Sequence, residues 1–533
     1  MVSVKLPESL TAIANGTFQG CRSLTEIRWP SLLSEIGNGA FYDCVGLTSI
    51  TLPESLTRIG VSAFSGSGLT SVVLPAGLTK LEDGVFYGCT SLSSVTLPNS
   101  LVEISGGTFN NCSSLASIAF PSSLTKIGVT AFANCISLTS VELPGSLTEL
   151  DDSAFYGCTG LTSVTLPESL ASLGGNPFPA CTNLTEIKIA SSNANFCSSD
   201  GILYSKDKTE LIGFPAGKAT TFSVPESVTK VGQGAFSGCS DMTSVTLPNS
   251  LAEIGAGAFS YCSSLTQIVL PNSLSVIGRS AFAHCSDLTS ISLPNSLSVI
   301  DESTFYGCTS LTSAALPESL ATIGSGAFYE CTSLTSIILP EALAAIEERA
   351  FSGCSGLTAI AFPGSLTKLG PSAFERCSGL TSISFPNSLT EISGAVFAMC
   401  TSLTSITLPE SMAVIGGYAF FNCISLETIT SLAVIPPSIA SSAFGCQVSE
   451  ENENPQHVYE TAIVRVPKEA LEAYKADSGW GQFANLQELT SGIEAIEAEA
   501  VRESDVIYDL RGMKATGRTP GIYIINGKKV LVR

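Results

Sequence analysis

Charge is scarce in this chain: only 13% of its 533 residues are Asp, Glu, Lys or Arg. Histidine is rarer still, with His284 and His457 alone, and the chain holds 2 Trp and 5 Met. No apolar run reaches the ~18 residues that a membrane-crossing helix needs, so no such span is expected. The cysteines never occur as C-x-x-C, which removes the usual spacing of a zinc site. His284 precedes Cys285 in a turn and His457 sits in a polar stretch; neither has a catalytic partner at a known spacing. Gly213 through Thr220 lacks the G-x-x-x-x-G-K-[ST] spacing of a phosphate loop. No catalytic constellation is left, so neither an enzyme nor a cofactor is expected. The charge that is present is mostly acidic, 46 side chains against 25 basic, for a net −21. That balance disfavours nucleic acid and anionic membranes as partners.

What the chain has in abundance is repetition. The run Ala-Phe-x-x-Cys recurs about every 23 residues, through Phe18, Phe41, Phe64 and on to Phe178, then from Phe236 to Phe444. A period of this length means one coil per repeat, with coils stacked into a solenoid. With 44% apolar residues the stack can bury a continuous core. The expected architecture is a leucine-rich repeat solenoid of about 17–18 coils, with parallel strands and short helical turns.

In the coil 47–69, Leu47, Ile50 and Leu52 follow an L-x-x-L-x-L pattern. Ile50 and Leu52 face inward along a strand, while Ser49 and Thr51 face outward. Pro53 ends the strand. Leu56 to Ile59 fits a second short strand or a turn, and Gly60 suits a bend where a side chain would clash. Ala63-Phe64 reads as a short helical turn. The 22-residue step from Phe64 to Phe86 coincides with Ser67 at the Cys position and Gly68 after it.

Sixteen of the 18 cysteines hold the F-x-x-C position; the others are Cys197 and Cys446. Disulfides between coils are allowed by distance, but side chains in a parallel ladder point the same way. Zinc needs ligands around a point rather than along a line. The favoured reading is a small buried filler whose thiol donates weakly to backbone carbonyls.

The array breaks between Phe178 and Phe236. Ile202–Tyr204 and Glu210–Phe214 look like strands around Lys206-Asp207-Lys208. This segment is either a β-rich coil or hairpin that keeps the solenoid continuous, or a binding protrusion. The expected division is repeats at 1–190, a β-rich interrupting unit at 191–224, repeats at 225–446 and a cap at 447–490. An acidic linker at 491–505 and a small β module at 506–533 follow. The cap should contain a strand and a short helix over Lys468–Lys475. The tail should have a hairpin turn at Asn526-Gly527. Met1 to Pro7 already matches the repeat's strand, so a leader, a cap or further repeats are expected upstream.

The unit L-P-x-S-L-T-x-I-G-x-x-A-F-x-x-C-x-x-L-T-S-I resembles the BspA-like leucine-rich repeats of bacterial surface proteins, over nearly all of 1–446. Residues 200–215 (D-G-I-L-Y-S-K-D-K-T-E-L-I-G-F-P) resemble an interrupting unit of that family. Residues 466–480 resemble its C-terminal cap. The tail 507–533 is similar to C-terminal modules of Bacteroidetes exported proteins, in some of which it is a sorting signal. The resemblance implies a non-enzymatic protein at the cell surface or outside the cell. It implies adhesion to host matrix proteins or to other cells. A glycan-binding protein and a structural surface-layer protein are the alternatives.

Recognition should lie where the repeat varies. The outward strand positions, expected on the concave face, are mostly Ser or Thr, as at Ser290 and Ser292. Around them Ala315, Ile338, Ala359 and Ala361 make a locally apolar strip, with Ser336 beside Ile338. An exposed apolar strip marks a binding site, so coils 313–361 are the expected protein-binding patch. Tyr306 and Tyr329 lie one period apart in the turn after Phe, at an edge of the coil.

Overall fold

The computed structural model describes residues 2–446 and 457–489, together with the backbone of strands at 494–496, 507–508, 521–525 and 528–532. Of the polar stretch 447–460, expected as a loop, residues 447–456 lie outside the described residues, as does the Asn526-Gly527 turn, and the rest is not loop, because His457–Thr461 forms a short helix. The chain is a parallel β-solenoid of about 21 turns with few helices. The count exceeds the number of Ala-Phe-x-x-Cys signatures for a simple reason. One turn carries Phe214 instead, and two more come from Ile463–Val466 and Asn485–Glu488, which continue the ladder beyond Thr428–Ser431.

Most coils contribute to two parallel sheets. The first contains strands such as Ser71–Val73, paired with Ser94–Thr96. The second contains two-residue strands such as Lys80–Leu81, paired with Glu103–Ile104. Leu56–Ile59 therefore does end in a short strand, Arg58–Ile59, beside Glu35–Ile36. In the second sheet the outward residue is often charged, and register places opposite signs side by side. Lys126 Nζ lies 3.0 Å from Glu149, and Lys230 lies 3.5 and 3.4 Å from Glu210 and Glu253. Cross-strand pairs of this kind favour one register. Gly60 is required by packing, since a Cβ there would sit 2.4 Å from Asn38 Oδ1 and 2.7 Å from its amide.

The turn that carries Phe is not helical. Ser62 and Gly66 both have positive φ, at 55° and 67°. Two left-handed residues flanking Ala63–Ser65 prevent a helix from propagating. The N–H groups then alternate. Those of Ala63, Ser65 and Ser67 bond back within the turn, while those of Ser62, Phe64 and Gly66 donate to Asp83, Val85 and Tyr87 of the next coil. The turns thus form a third ladder, and no helix would leave those donors free to reach across.

Phe rings stack along the inside of this ladder. Phe259 and Phe282 are 5.3 Å apart and 1° from parallel, and Phe397 and Phe420 are 5.6 Å apart at 10°. At the 22-residue step, Phe64 and Phe86 stand 5.8 Å apart, and Ser67 Oγ meets Cys89 Sγ at 3.2 Å. None of the 18 cysteines forms a disulfide, and all but Cys21 and Cys197 are buried. From Cys44 to Cys423 each ladder thiol donates to the Phe carbonyl of the preceding coil, as Cys308 does to Phe282 at 3.1 Å and Cys423 to Phe397 at 3.1 Å. Burial pushes the Cys308 thiol from 9.0 up to about 12.

Between the two arrays, Phe196–Ser199, Ile202–Ser205 and Glu210–Gly213 form an antiparallel unit. Its last strand joins the second sheet, parallel to Lys230–Val231. Successive strand residues face opposite sides, and here each side meets a different core. Leu203 and Ile212 pack into the N-terminal core; Ile202, Tyr204, Leu211 and Phe214 pack into the C-terminal one. Phe214 stands in for the missing ring, stacking on Phe236 at 5.0 Å and donating its N–H to Ala235.

At the other end Trp480 is fully buried and donates Nε1–H to Pro437 O at 2.7 Å. Tyr474 bonds Ser431 at 2.7 Å and Ala433 O at 3.0 Å. The expected helix is present as a 3₁₀ turn at Lys468–Ala470 running into Leu471–Ala476. In the tail, Gly521–Ile525 pairs antiparallel with Lys528–Val532. Glu494–Ile496, within the stretch expected as a linker, forms a strand parallel to Lys528–Val532.

Two outcomes check this account. Phe305→Ala should destabilise by roughly 3–5 kcal/mol, read as a lowered melting midpoint. A native thiol titration should show fast reaction only at Cys21 and Cys197, with all 18 reacting in denaturant. Because a thiol such as Cys308 ionises near 9.0 when unfolded but only near 12 when folded, the unfolded chain loses its protons first. Stability should therefore be full below pH 9 and fall as pH rises above it.

Candidate functional site

The outward side of the first sheet is built by strand alternation. Ile291, Ala314, Ile337 and Ile360 turn inward and are buried. Their neighbours on either side must then point out. Ser290–Ser292 pairs in register with Ser313–Ala315, which sets Ser292 beside Ala315. Ile338 and Ala361 occupy the same repeat position one and two coils further on, and Ser336 and Ala359 follow the column of Ser290. All seven expected site residues, Ser290, Ser292, Ala315, Ser336, Ile338, Ala359 and Ala361, are exposed. Ile338 is 86% exposed, an extreme value for so apolar a side chain.

Sequence reasoning missed Val269. It lies one coil before Ser292 in the same column and is 82% exposed. Its repeat position was the available signal. A cleft of about 430 Å³ joins Val269 to Ser290 and Ser292, with Gln267, Asn272 and Asn295 also on its wall. No ionisable side chain lines that cleft. Strand pairing lapses at 336–338 and 359–361, which form no regular strand. The strip thus runs from a well-paired segment into a loosely paired one.

Ionisable groups gather elsewhere. On the second sheet the Glu149 hydrogen bond, with Asp151 nearby, holds the Lys126 ammonium above its ordinary range. Among the described residues, no three His, Cys, Asp or Glu side chains converge in a way that could hold a metal ion. Nor is any helix there long and apolar enough to cross a membrane. Over 290–361 the arrangement offers neutral hydroxyls with an apolar stripe, while the charged pairs Glu26–Arg28 and Glu186–Lys188 stand on the same face nearer the N-terminus.

Stacked 23-residue coils with inward Leu, Ile and Phe columns define a leucine-rich repeat protein. The profile of the BspA type leucine rich repeat region matches residues 1–116, 79–200, 214–334 and 321–449, and the chain belongs to that family. Among solved structures it is similar to a leucine-rich repeat protein from Eubacterium ventriosum, at 26% identity and a TM-score of 0.52, over 60% of this chain and 84% of the other. It is also similar to a leucine rich cell surface protein from Faecalibacterium prausnitzii, at 28% identity and a TM-score of 0.51, over 63% of this chain and 87% of the other. No curated protein sequence matches it.

Adjacent residues should respond in opposite ways. Ile338→Asp should leave the melting midpoint nearly unchanged, within about 0.5 kcal/mol. Ile337→Asp should cost more than about 3 kcal/mol, because it buries an unpaired charge. Thermal melts followed by circular dichroism would read both.

Proposed function

We propose that the chain is a non-enzymatic scaffold, displayed at the cell surface or secreted, that grips a protein partner through the hydroxyl-rich strand face. The partner class is a host matrix protein or a protein of another cell's surface. The observation that carries this reading is the run of exposed apolar residues Val269, Ala315, Ile338 and Ala361, interrupted by Ser292, beside the hydroxyls of Ser290, Ser313 and Ser336. A large apolar side chain held in water on a rigid sheet is stabilised when a partner covers it. Covering one Ile contributes about 1.5–3 kcal/mol, and the surrounding hydroxyls suit a polar rim. Surface display is supported by the cell-surface description of the Faecalibacterium relative and by the tail's similarity to exported modules. The interrupting unit at 191–224 acts, on this reading, as a joint between two repeat arrays rather than as the gripping element.

The test is a binding screen of the full chain against purified extracellular-matrix proteins, with and without Ile338→Asp plus Ala361→Asp. Retained wild-type binding should fall by about tenfold or more in the double variant, with an unchanged melting midpoint. Equal binding by both proteins would remove the strand face from the function.

A further inference from the structure

A second surface lies along the Phe-bearing turns. The residue two places after Phe takes the left-handed conformation in every coil from Phe18 to Phe420 apart from that of Phe214; Gly, Asn or Asp usually fills it, as at Gly238, Asn134 and Asp43, and Ala180, Glu330, Arg376 and Met399 fill it elsewhere. In two neighbouring coils the occupant is a bulky ring instead, Tyr261 at φ 59° and His284 at φ 58°. They stack on each other, with centroids 4.5 Å apart and planes 18° from parallel.

The column continues. His284 meets Tyr306 at 4.5 Å, and Tyr306 meets Tyr329 at 5.1 Å with the planes inclined by 45°. Four consecutive coils thus present aromatic rings on one outer edge. Gly307 makes room for this, because a Cβ there would lie 2.6 Å from His284 Nδ1. Tyr261 is 49% exposed. Inclined rings cannot close face to face, and Tyr306 and Tyr329 border a cleft of about 520 Å³ with Glu302, Ser303, Glu348 and Arg349. Glu302 also borders an adjoining cleft of about 320 Å³ that reaches Arg279, Gln233, Tyr156 and Asp152. Asp152 Oδ2 accepts from Ser153 at 3.1 Å, and the Gln233 side chain also stands against this carboxylate.

We propose that this turn-side groove, from Asp152 to Arg349, binds an extended neutral oligosaccharide. Tyrosine and histidine rings offer apolar faces and edges to the C–H faces of sugar rings, and their column advances by about one sugar unit per coil. Between the rings stand carboxylates, a Gln amide and two guanidinium groups, which suit pairs of adjacent hydroxyls. No large aliphatic side chain borders either cleft, so a peptide anchor has nowhere to sit. Asp152, Glu302 and Glu348 outnumber Arg279 and Arg349, which disfavours sulfated or uronic chains. The site shares no residue with the strand-face strip and stands independently of it.

Affinity electrophoresis of the full chain through gels containing soluble neutral glucans, mannans or galactans, or an acidic polysaccharide, tests this. The wild type should be retarded by at least one neutral polymer and not by the acidic one. Tyr306→Ala plus Tyr329→Ala should weaken that retardation by about tenfold, while Tyr306→Phe keeps it. Glu302→Gln, which leaves the rings in place, should weaken it several-fold, and Ile338→Asp should not change it. Melting midpoints would confirm that the variants fold. No retardation by any neutral polymer, or equal retardation of wild type, the Tyr variant and the Glu302 variant, would overturn the proposal. Preference for the acidic polymer would overturn it as well.

Discussion

The contact on which this molecule depends is the one between a coil and the next, made at the Phe turn. There, a ring lies flat against its counterpart while the peptide N–H of the same residue donates across the same gap. Dispersion and backbone hydrogen bonding act along one axis at one residue, so sliding a coil would lose both. The cysteine thiol adds a third link, to the Phe carbonyl of the previous coil. The consensus Ser of L-P-x-S-L adds a fourth, as Ser123 Oγ donates to Leu101 O at 2.6 Å. None of these links reaches beyond its neighbours. A solenoid held this way has near-uniform coils and no tertiary contact that closes one end on the other.

Periodic residues were the legible part. The Phe and Leu columns, the clash at Gly60, the thiol as filler and the outward Ser and Thr positions all follow from spacing and side-chain direction. The turn itself was not legible, because Ala-Phe within a short apolar run suits a helical turn until the left-handed residues on both sides are known. Ser62 and Thr130 carry no glycine-like signature, yet both have positive φ. Phe214 was hidden for another reason. It stands 22 residues before Phe236, a step the array also uses between Phe64 and Phe86, but Gly213 and Pro215 flank it in place of the Ala-Phe-x-x-Cys signature, just after the last strand of the interrupting unit.

The strand-face strip was read from its repeat positions, and the same argument extended one coil backward reaches Val269. The aromatic column could not be read this way. Its members come from two different repeat positions: Tyr261 and His284 stand two places after Phe, and Tyr306 and Tyr329 stand one place after it. Only the turn's geometry brings these two registers onto one edge. Variation within a repeat is therefore better judged by face than by alignment column. The residues that hold coils together are nearly uniform, while the two candidate surfaces are built wherever uniformity is relaxed.

The interrupting unit has two unlike faces, Leu203 and Ile212 on one and Ile202, Tyr204, Leu211 and Phe214 on the other. That asymmetry bears on how such a gene can change. Nearly identical coils invite unequal recombination, and gain or loss of a whole coil on either side leaves each remaining contact as it was. Exchange across the unit is different, because each array ends on a surface shaped for it alone. The interrupting unit behaves as a punctuation mark with direction: the lengths of the two arrays can drift independently, but their order cannot be reversed.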